Sequence, residues 1–548
     1  MASLLRRRVM GGAPAGPVPD YLTLHKAAGA TEFKWGLTYT GNFTLPELEY
    51  SYDGRTWTNE NYVVHTSPAG AERVYIRRRA DAVSDTFSLS LSKFVYFWSL
   101  TNVSKISGNI MYLMDISGQS TDLTSKVYCF CYLFSGMGDV DVTELRLPAT
   151  KLAQGCYQQM FQSSQIRRAP DLPATELATR CYSGMFYNCQ SLTEPPVISA
   201  TRFTPAGMSE QAYQFENMFL NCSSLTSAPA LPVTTLTTGC YAGMFQNCTS
   251  LTTAPTLPAG QMRPCCYQSM FYGCTGLVTA PALNARTLAA GCYASMFRGC
   301  TGLVAAPALP ATTLAGDSSC GGCYEAMFQD CTGLTAIPSL NATIMAVNCY
   351  QSMFRGCSGI TGHVSFYTSV TQLEAMCFRY MFQGTKVSSV ADFPNIALSP
   401  TCFAYMFNQC EELTAPPALP ATTLASSCYQ GMFSGCKRLA SAPALPAATL
   451  ASNCYQSMFS GCAALVTAPD LPALTLVSSC YREMFNGCAS LNSIKAMFTT
   501  TPGTSYTRNW VNGVAASGTF TKNANAGWSV TGNHGVPDGW TVITETPS

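Results

Sequence analysis

Apolar positions through the middle of the chain recur at a fixed period. The block Cys-Tyr-x-x-Met-Phe opens at Cys266 and again at Cys292, 26 residues later. Fourteen copies can be followed from Cys129 to Cys480, the fourth opening with Gln214 in place of cysteine. In most copies a second cysteine follows eight residues after the first (Cys274, Cys300) and a leucine three further on (Leu277, Leu303). A proline segment such as Ala280-Pro281-Ala282-Leu283 completes the unit. A period between about 20 and 50 residues marks a solenoid, because one unit cannot bury its apolar face without a neighbour on either side.

Inside a unit the pattern predicts a short helix followed by a short strand. Leu288, Cys292, Tyr293, Met296, Phe297 and Cys300 follow the i, i+4, i+5, i+8, i+9 spacing of a helix burying one stripe. Thr312-Thr313 before Leu314, and Thr422-Thr423 before Leu424, suit its N-cap. Residues 277–280 predict a strand of three or four residues, parallel to its equivalents in adjacent coils. The proline after it (Pro255, Pro281, Pro307, Pro443, Pro469) limits its length, having no N–H for a ladder. At about 4.8 Å between strands, the coils would form a rod or gentle arc on the order of 70 Å long. The insertions at 317–321 and 363–371 are expected to be loops on one face.

The flanks follow other rules. All 27 cysteines lie between Cys129 and Cys488, and all six tryptophans lie outside the repeats. Alternating runs such as Phe33 to Tyr39 and Phe87 to Leu91, with Asp53-Gly54 as a hairpin signal, predict a small β-sandwich. The resulting division is a basic Gly/Pro arm at 1–19, a β-rich domain at 20–115, the solenoid at 116–495 and a cap at 496–548. The cap is expected to place a helix near Trp510 and strands after it, since a terminal coil cannot leave its core open.

The unit Cys-Tyr-x-x-Met-Phe-x-x-Cys-x-x-Leu-x-x-Ala-Pro, over roughly residues 129–495, resembles the 26-residue repeat of bacterial surface proteins and the BspA-like leucine-rich repeats. The tail resembles the end of such proteins through Asn509 to Val514, Gly518-Thr519-Phe520 and Gly535 to Trp540. The resemblance implies an α/β solenoid of leucine-rich-repeat type, about fourteen coils each of a short strand and a short helix. It also implies an adhesion or recognition role, on bacterial cell surfaces or in phages of gut bacteria.

The cysteines form two columns. Within a coil the pair stands eight helical positions apart, roughly 12 Å by the helical rise, too far for a disulfide. Between coils their Cβ atoms point the same way. Buried free thiols acting as small hydrophobes are therefore expected. Cys320-Gly321-Gly322-Cys323 is a lone C-x-x-C with no second pair at zinc-site spacing, and Cys320, Cys265 and Cys131 read as packing beside column members.

Catalytic material is sparse. The four histidines (His25, His65, His363, His534) share no metal-protease spacing and read as exposed loop residues. Carboxylates are few, with Asp470 and Glu483, or Glu411 and Glu412, as near neighbours that a solvated face explains equally well. No catalytic, cofactor-binding or metal residue is expected, and no cofactor. Charged residues make up 11% of the chain against about 25% in ordinary soluble domains, which excludes nucleic acid as the expected partner. No export leader is read in residues 1–17, whose Val9 to Pro17 stretch is no apolar core, and the sequence holds no run of about 18 apolar residues to span a membrane.

Three functions compete. A phage virion protein, assembled in the host cytoplasm, would dock to neighbouring virion proteins through its N-terminal region and bind a host surface glycan or protein. A bacterial cell-surface adhesin, or a purely structural decoration, is the alternative, and an enzyme on a solenoid scaffold is the third. A homo-oligomer fits any of them. The tyrosine after each first cysteine is the repeating ligand-contact candidate, in Tyr241, Tyr267, Tyr293, Tyr324 and Tyr350, weighed against rings that pack between coils and leave their hydroxyls at the surface.

Overall fold

The computed structural model describes residues 19–41, 45–82, 90–203, 212–317, 319–365 and 372–546. The arm before residue 19, the run Phe87-Ser88-Leu89 and most of the insertion at 363–371 lie outside them.

The repeats form a β-solenoid, and the predicted helix is absent from every described coil. Among the described residues helix is confined to two 3-10 turns, Ile110–Leu113 and Gly532–His534. In place of the helix, the Cys-Tyr-x-x-Met-Phe block is a chain of tight turns in which every fourth residue is left-handed. Gly239, Gly243 and Asn247 have φ of 63°, 61° and 59°, and Cys265, Ser269 and Gly273 of the next coil have 54°, 54° and 71°. Glycine and asparagine tolerate this region best.

Hydrogen bonding explains why the turns replace a helix. Tyr241, Gly243, Phe245 and Asn247 donate their amides to Cys266, Gln268, Met270 and Tyr272 of the next coil. The residues between them, Ala242, Met244, Gln246 and Cys248, donate three residues back within their own coil. Every amide from Tyr241 to Cys248 is thus partnered, half of them laterally. A helix would satisfy its amides internally and leave adjacent coils joined by side chains alone. The repeated glycine also weighs against it, at roughly 1 kcal/mol per helical position. With no helix present, Thr312 and Thr313 cap nothing; Thr312 and Thr313 both donate their amides to the Arg286 carbonyl one coil back.

The turns aim Cys, Tyr, Met, Phe and Cys inward, and identical side chains stack from coil to coil. Tyr241, Tyr267 and Tyr293 lie parallel at 5.7 and 6.0 Å. Phe245, Phe271 and Phe297 form a second ladder at 5.6 Å. The second cysteine has a defined role in this packing: Cys274 Sγ donates to the Phe245 carbonyl one coil back, at 3.0 Å, an oxygen that also accepts from the Cys248 amide. Cys300 and Cys488 repeat the contact on Phe271 and Phe459. Where this cysteine is replaced the contact changes: Thr385 Oγ1 donates to the Phe382 carbonyl of its own coil at 2.8 Å, an oxygen that also accepts from Cys410 Sγ of the next coil.

On the opposite side the predicted strands shrink to single parallel bridges, Thr253 to Thr279 and Thr279 to Ala305. Their direction matches the expectation. Their length does not, because the proline two residues on removes the next ladder donor.

The N-terminal region is built from two antiparallel sheets. One holds Val64–Thr66, Lys34–Tyr39 and Val95–Thr101. In the other, Leu22–Lys26 lies between Arg73–Arg78 and Val103–Asn109. Asp53 accepts from the amides of Arg55 and Thr56 at 2.7 Å and so closes the predicted turn. The second sheet continues into the repeats: Gly108 pairs in parallel with Leu145, and Phe97 stacks on Phe134 at 5.4 Å. This end of the solenoid core is thereby covered. At the other end Ser493–Ala496, Thr519–Asn523 and Thr541–Glu545 form a parallel sheet. Trp510 sits in a turn rather than the expected helix, fully buried, with Nε1 donating to the Gly535 carbonyl at 3.0 Å.

Candidate binding groove

The five tyrosines singled out by sequence are core residues. Tyr241, Tyr267 and Tyr324 are 1% exposed, and Tyr293 and Tyr350 are 2%. Their hydroxyls are buried as well as their rings, and burial pushes each phenol above its ordinary range. A surface ligand does not reach rings placed so.

The described histidines and the four carboxylates singled out by sequence are committed elsewhere, and three of the histidines are not the exposed residues expected. His25 is half-buried in a strand, 2.7 Å from Ser107 Oγ, with its pKa lowered by burial and by Arg73. His65 stacks on Trp35 at 4.5 Å and lies 3.1 Å from Glu60 Oε1. His534 Nδ1 accepts from the Asn509 amide. Glu411 pairs with Lys437 at 2.7 Å, Glu412 with Arg438, and Asp470 with Lys495. No group of three or more His, Cys, Asp or Glu among the described residues is arranged to hold a metal.

Concave surface occurs along the proline segments. Between the coils of Cys240 and Cys266, Pro255, Leu257, Pro258 and Pro281 line a hollow of about 210 Å³. It shares Asn284 with a polar groove of about 560 Å³ formed by Gln261, Met262, Arg263, Asn284, Arg286 and Thr287. An apolar ledge therefore runs into a pocket of amides, a hydroxyl and two guanidinium groups. A third hollow of about 410 Å³ lies on equivalent prolines at Pro417 and Pro443. The placement follows from the unit: Leu283 and Ala285 point into the core, which turns Asn284 and Arg286 outward.

The family model for the BspA type leucine rich repeat region matches in six copies, over residues 322–465 and 403–506. Residues 322–506 are a BspA-type leucine-rich repeat region. The earlier coils carry the same unit and the same core columns. A solved structure of a leucine rich cell surface protein from Faecalibacterium prausnitzii A2-165 is 17% identical, covering 74% of this chain and 85% of that one, at a TM-score of 0.31. A superposition that loose carries no argument. No curated protein matches the chain.

Throughout the described coils the column cysteines are free and buried. Burial pushes their thiols up, to about 12 for Cys266, Cys274 and Cys349, so they are protonated and inert. The cysteines beside the columns divide. Cys131 is a buried free thiol, whereas Cys265 and Cys320 form a disulfide with Cα atoms 5.9 Å apart, correcting their reading as packing. The bridge reaches across the coil of Cys292, where Gly291 leaves room: a Cβ there would stand 2.2 Å from the Cys320 carbonyl oxygen. It braces the coil that carries Arg263.

Proposed function

We propose that the chain is a non-enzymatic recognition protein of the bacterial surface adhesin type, holding a glycan or protein of an opposing surface along its proline-edged grooves. The observation that supports this reading most is the contrast between columns. Core positions repeat the same residues from coil to coil, while exposed positions at one register differ: Thr234, Gly260 and Arg286 follow one another on the groove side. A constant core with a varied edge suits recognition, whereas catalysis needs titratable groups brought together. Described carboxylates of the repeats are instead held singly, by a cation as in Glu411 with Lys437 or by a backbone amide as in Asp171 and Asp392. The BspA-type match supports the same role. Particle attachment is favoured by no specific observation and is not developed.

The test is binding of the full chain to glycan arrays and to intact epithelial and bacterial cells, with folding confirmed by circular dichroism. Saturable adhesion without release of sugar or peptide products is the expected result. A folded chain that adheres to none of these surfaces refutes the proposal, and product release with turnover replaces it with an enzyme.

A further inference from the structure

Between Glu216 and Asp317 the chain contains no acidic residue, and its basic residues there are Arg263, Arg286 and Arg298. Flanking coils behave otherwise. Arg167 pairs with Asp139 at 2.8 Å, Lys151 with Asp122 at 3.2 Å, Lys437 with Glu411 at 2.7 Å, and Arg202 with Glu176. In those coils an exposed cation is answered by an acid one coil away. Arg298 has Asp330 within 3.9 Å. Arg263 and Arg286 have no acidic partner among the described residues, although both are exposed and both line one groove.

Resting on the recognition reading above, we propose that this groove binds an anionic saccharide, with Arg263 and Arg286 taking a carboxylate or sulfate group of the sugar. A guanidinium offers parallel N–H donors matched to an oxyanion, and two of them at one groove give a site that a single surface lysine would not. The remaining lining fits the rest of such a ligand. Gln261, Asn284 and Thr287 offer donors and acceptors for hydroxyls, and the exposed Pro258 and Ala282 of the adjoining ledge offer an apolar face for sugar C–H groups. The disulfide brace begins at Cys265, two residues from Arg263, and holds this part of the edge in place.

The experiment uses the full chain, with oligogalacturonate as the carboxylate probe, heparin oligosaccharide as the sulfate probe, dextran as the neutral control and polyglutamate as an acidic peptide. Calorimetry should show binding of at least one anionic sugar, weakening as salt is raised. Each of Arg263→Gln and Arg286→Gln should weaken it roughly tenfold, and the double variant should abolish it. Lys437→Gln, remote from the groove, should bind as the parent does, and melting curves check that every variant folds. Preference for one probe identifies the oxyanion. Unchanged binding by the double variant, tighter binding of polyglutamate, or no binding of either anionic sugar overturns the assignment. If adhesion to cells or to neutral glycans persists in that last case, only the anionic ligand falls; if adhesion is absent too, the recognition reading falls with it.

Discussion

Raising the pH should unfold this protein through its thiols. The perturbation is ionisation of cysteine, whose ordinary pKa is 9.0 and which burial pushes up to about 12 at positions such as Cys274 and Cys349. The folded pKa is the higher one, so the contribution to stability is fully present below pH 9 and is lost as pH rises from 9 toward 12. At pH 10 an unfolded thiol is mostly ionised while a folded one is not, a difference of about 1.4 kcal/mol for each. A typical coil holds two column thiols, Cys266 and Cys274 for example, and so loses about 3 kcal/mol, a large share of the 5–15 kcal/mol that folded domains possess. Because each coil depends on its neighbours, the loss in one spreads to the next. The assay is urea unfolding followed by circular dichroism from pH 7.5 to 10.5, with thiolate absorbance recorded in parallel. Midpoints should hold steady to about pH 8.5 and then fall steeply, with thiolate signal appearing only as structure is lost. Thiolate absorbance titrating near pH 9 in a chain that stays folded would refute the reasoning.

Replacing Phe271 by alanine removes a ring stacked 5.6 Å from both Phe245 and Phe297 and should cost about 3–5 kcal/mol in urea unfolding, with Phe271→Leu losing much less. Mild reduction followed by alkylation without denaturant should label Cys320 and then Cys265, read by peptide mass spectrometry, while column cysteines such as Cys274 react only after unfolding.

The period of 26 made the solenoid legible, since only stacking buries such a repeated face. The local conformation was misread because apolar pairs spaced by four satisfy two descriptions at once. A helix turns about 100° per residue, so Cys240, Met244 and Cys248 would drift round its axis, whereas the turn chain keeps them in line. The distinguishing signal was the other register: Gly239, Gly243 and Asn247 occupy every fourth place, where a helix has no use for them. The same misreading gave Tyr241 and its equivalents an exposed hydroxyl. The Cys265–Cys320 pair was hidden by a separation of 55 residues, although its members are cysteines outside the columns. The groove had a signal too, in the run from Glu216 to Asp317 that lacks any acid, but nothing in the sequence says that Arg263 and Arg286 face one hollow.

The lateral hydrogen bonds have a mechanical consequence. Because Tyr241, Phe245 and Asn247 donate across the coil boundary, those bonds run along the solenoid axis, and a pull between its two ends loads successive boundaries in series. Coils would then peel away one after another, each releasing 26 residues, or roughly 90 Å of extended chain. A tether that lengthens stepwise dissipates work at every step and limits the force reaching whatever its grooves hold.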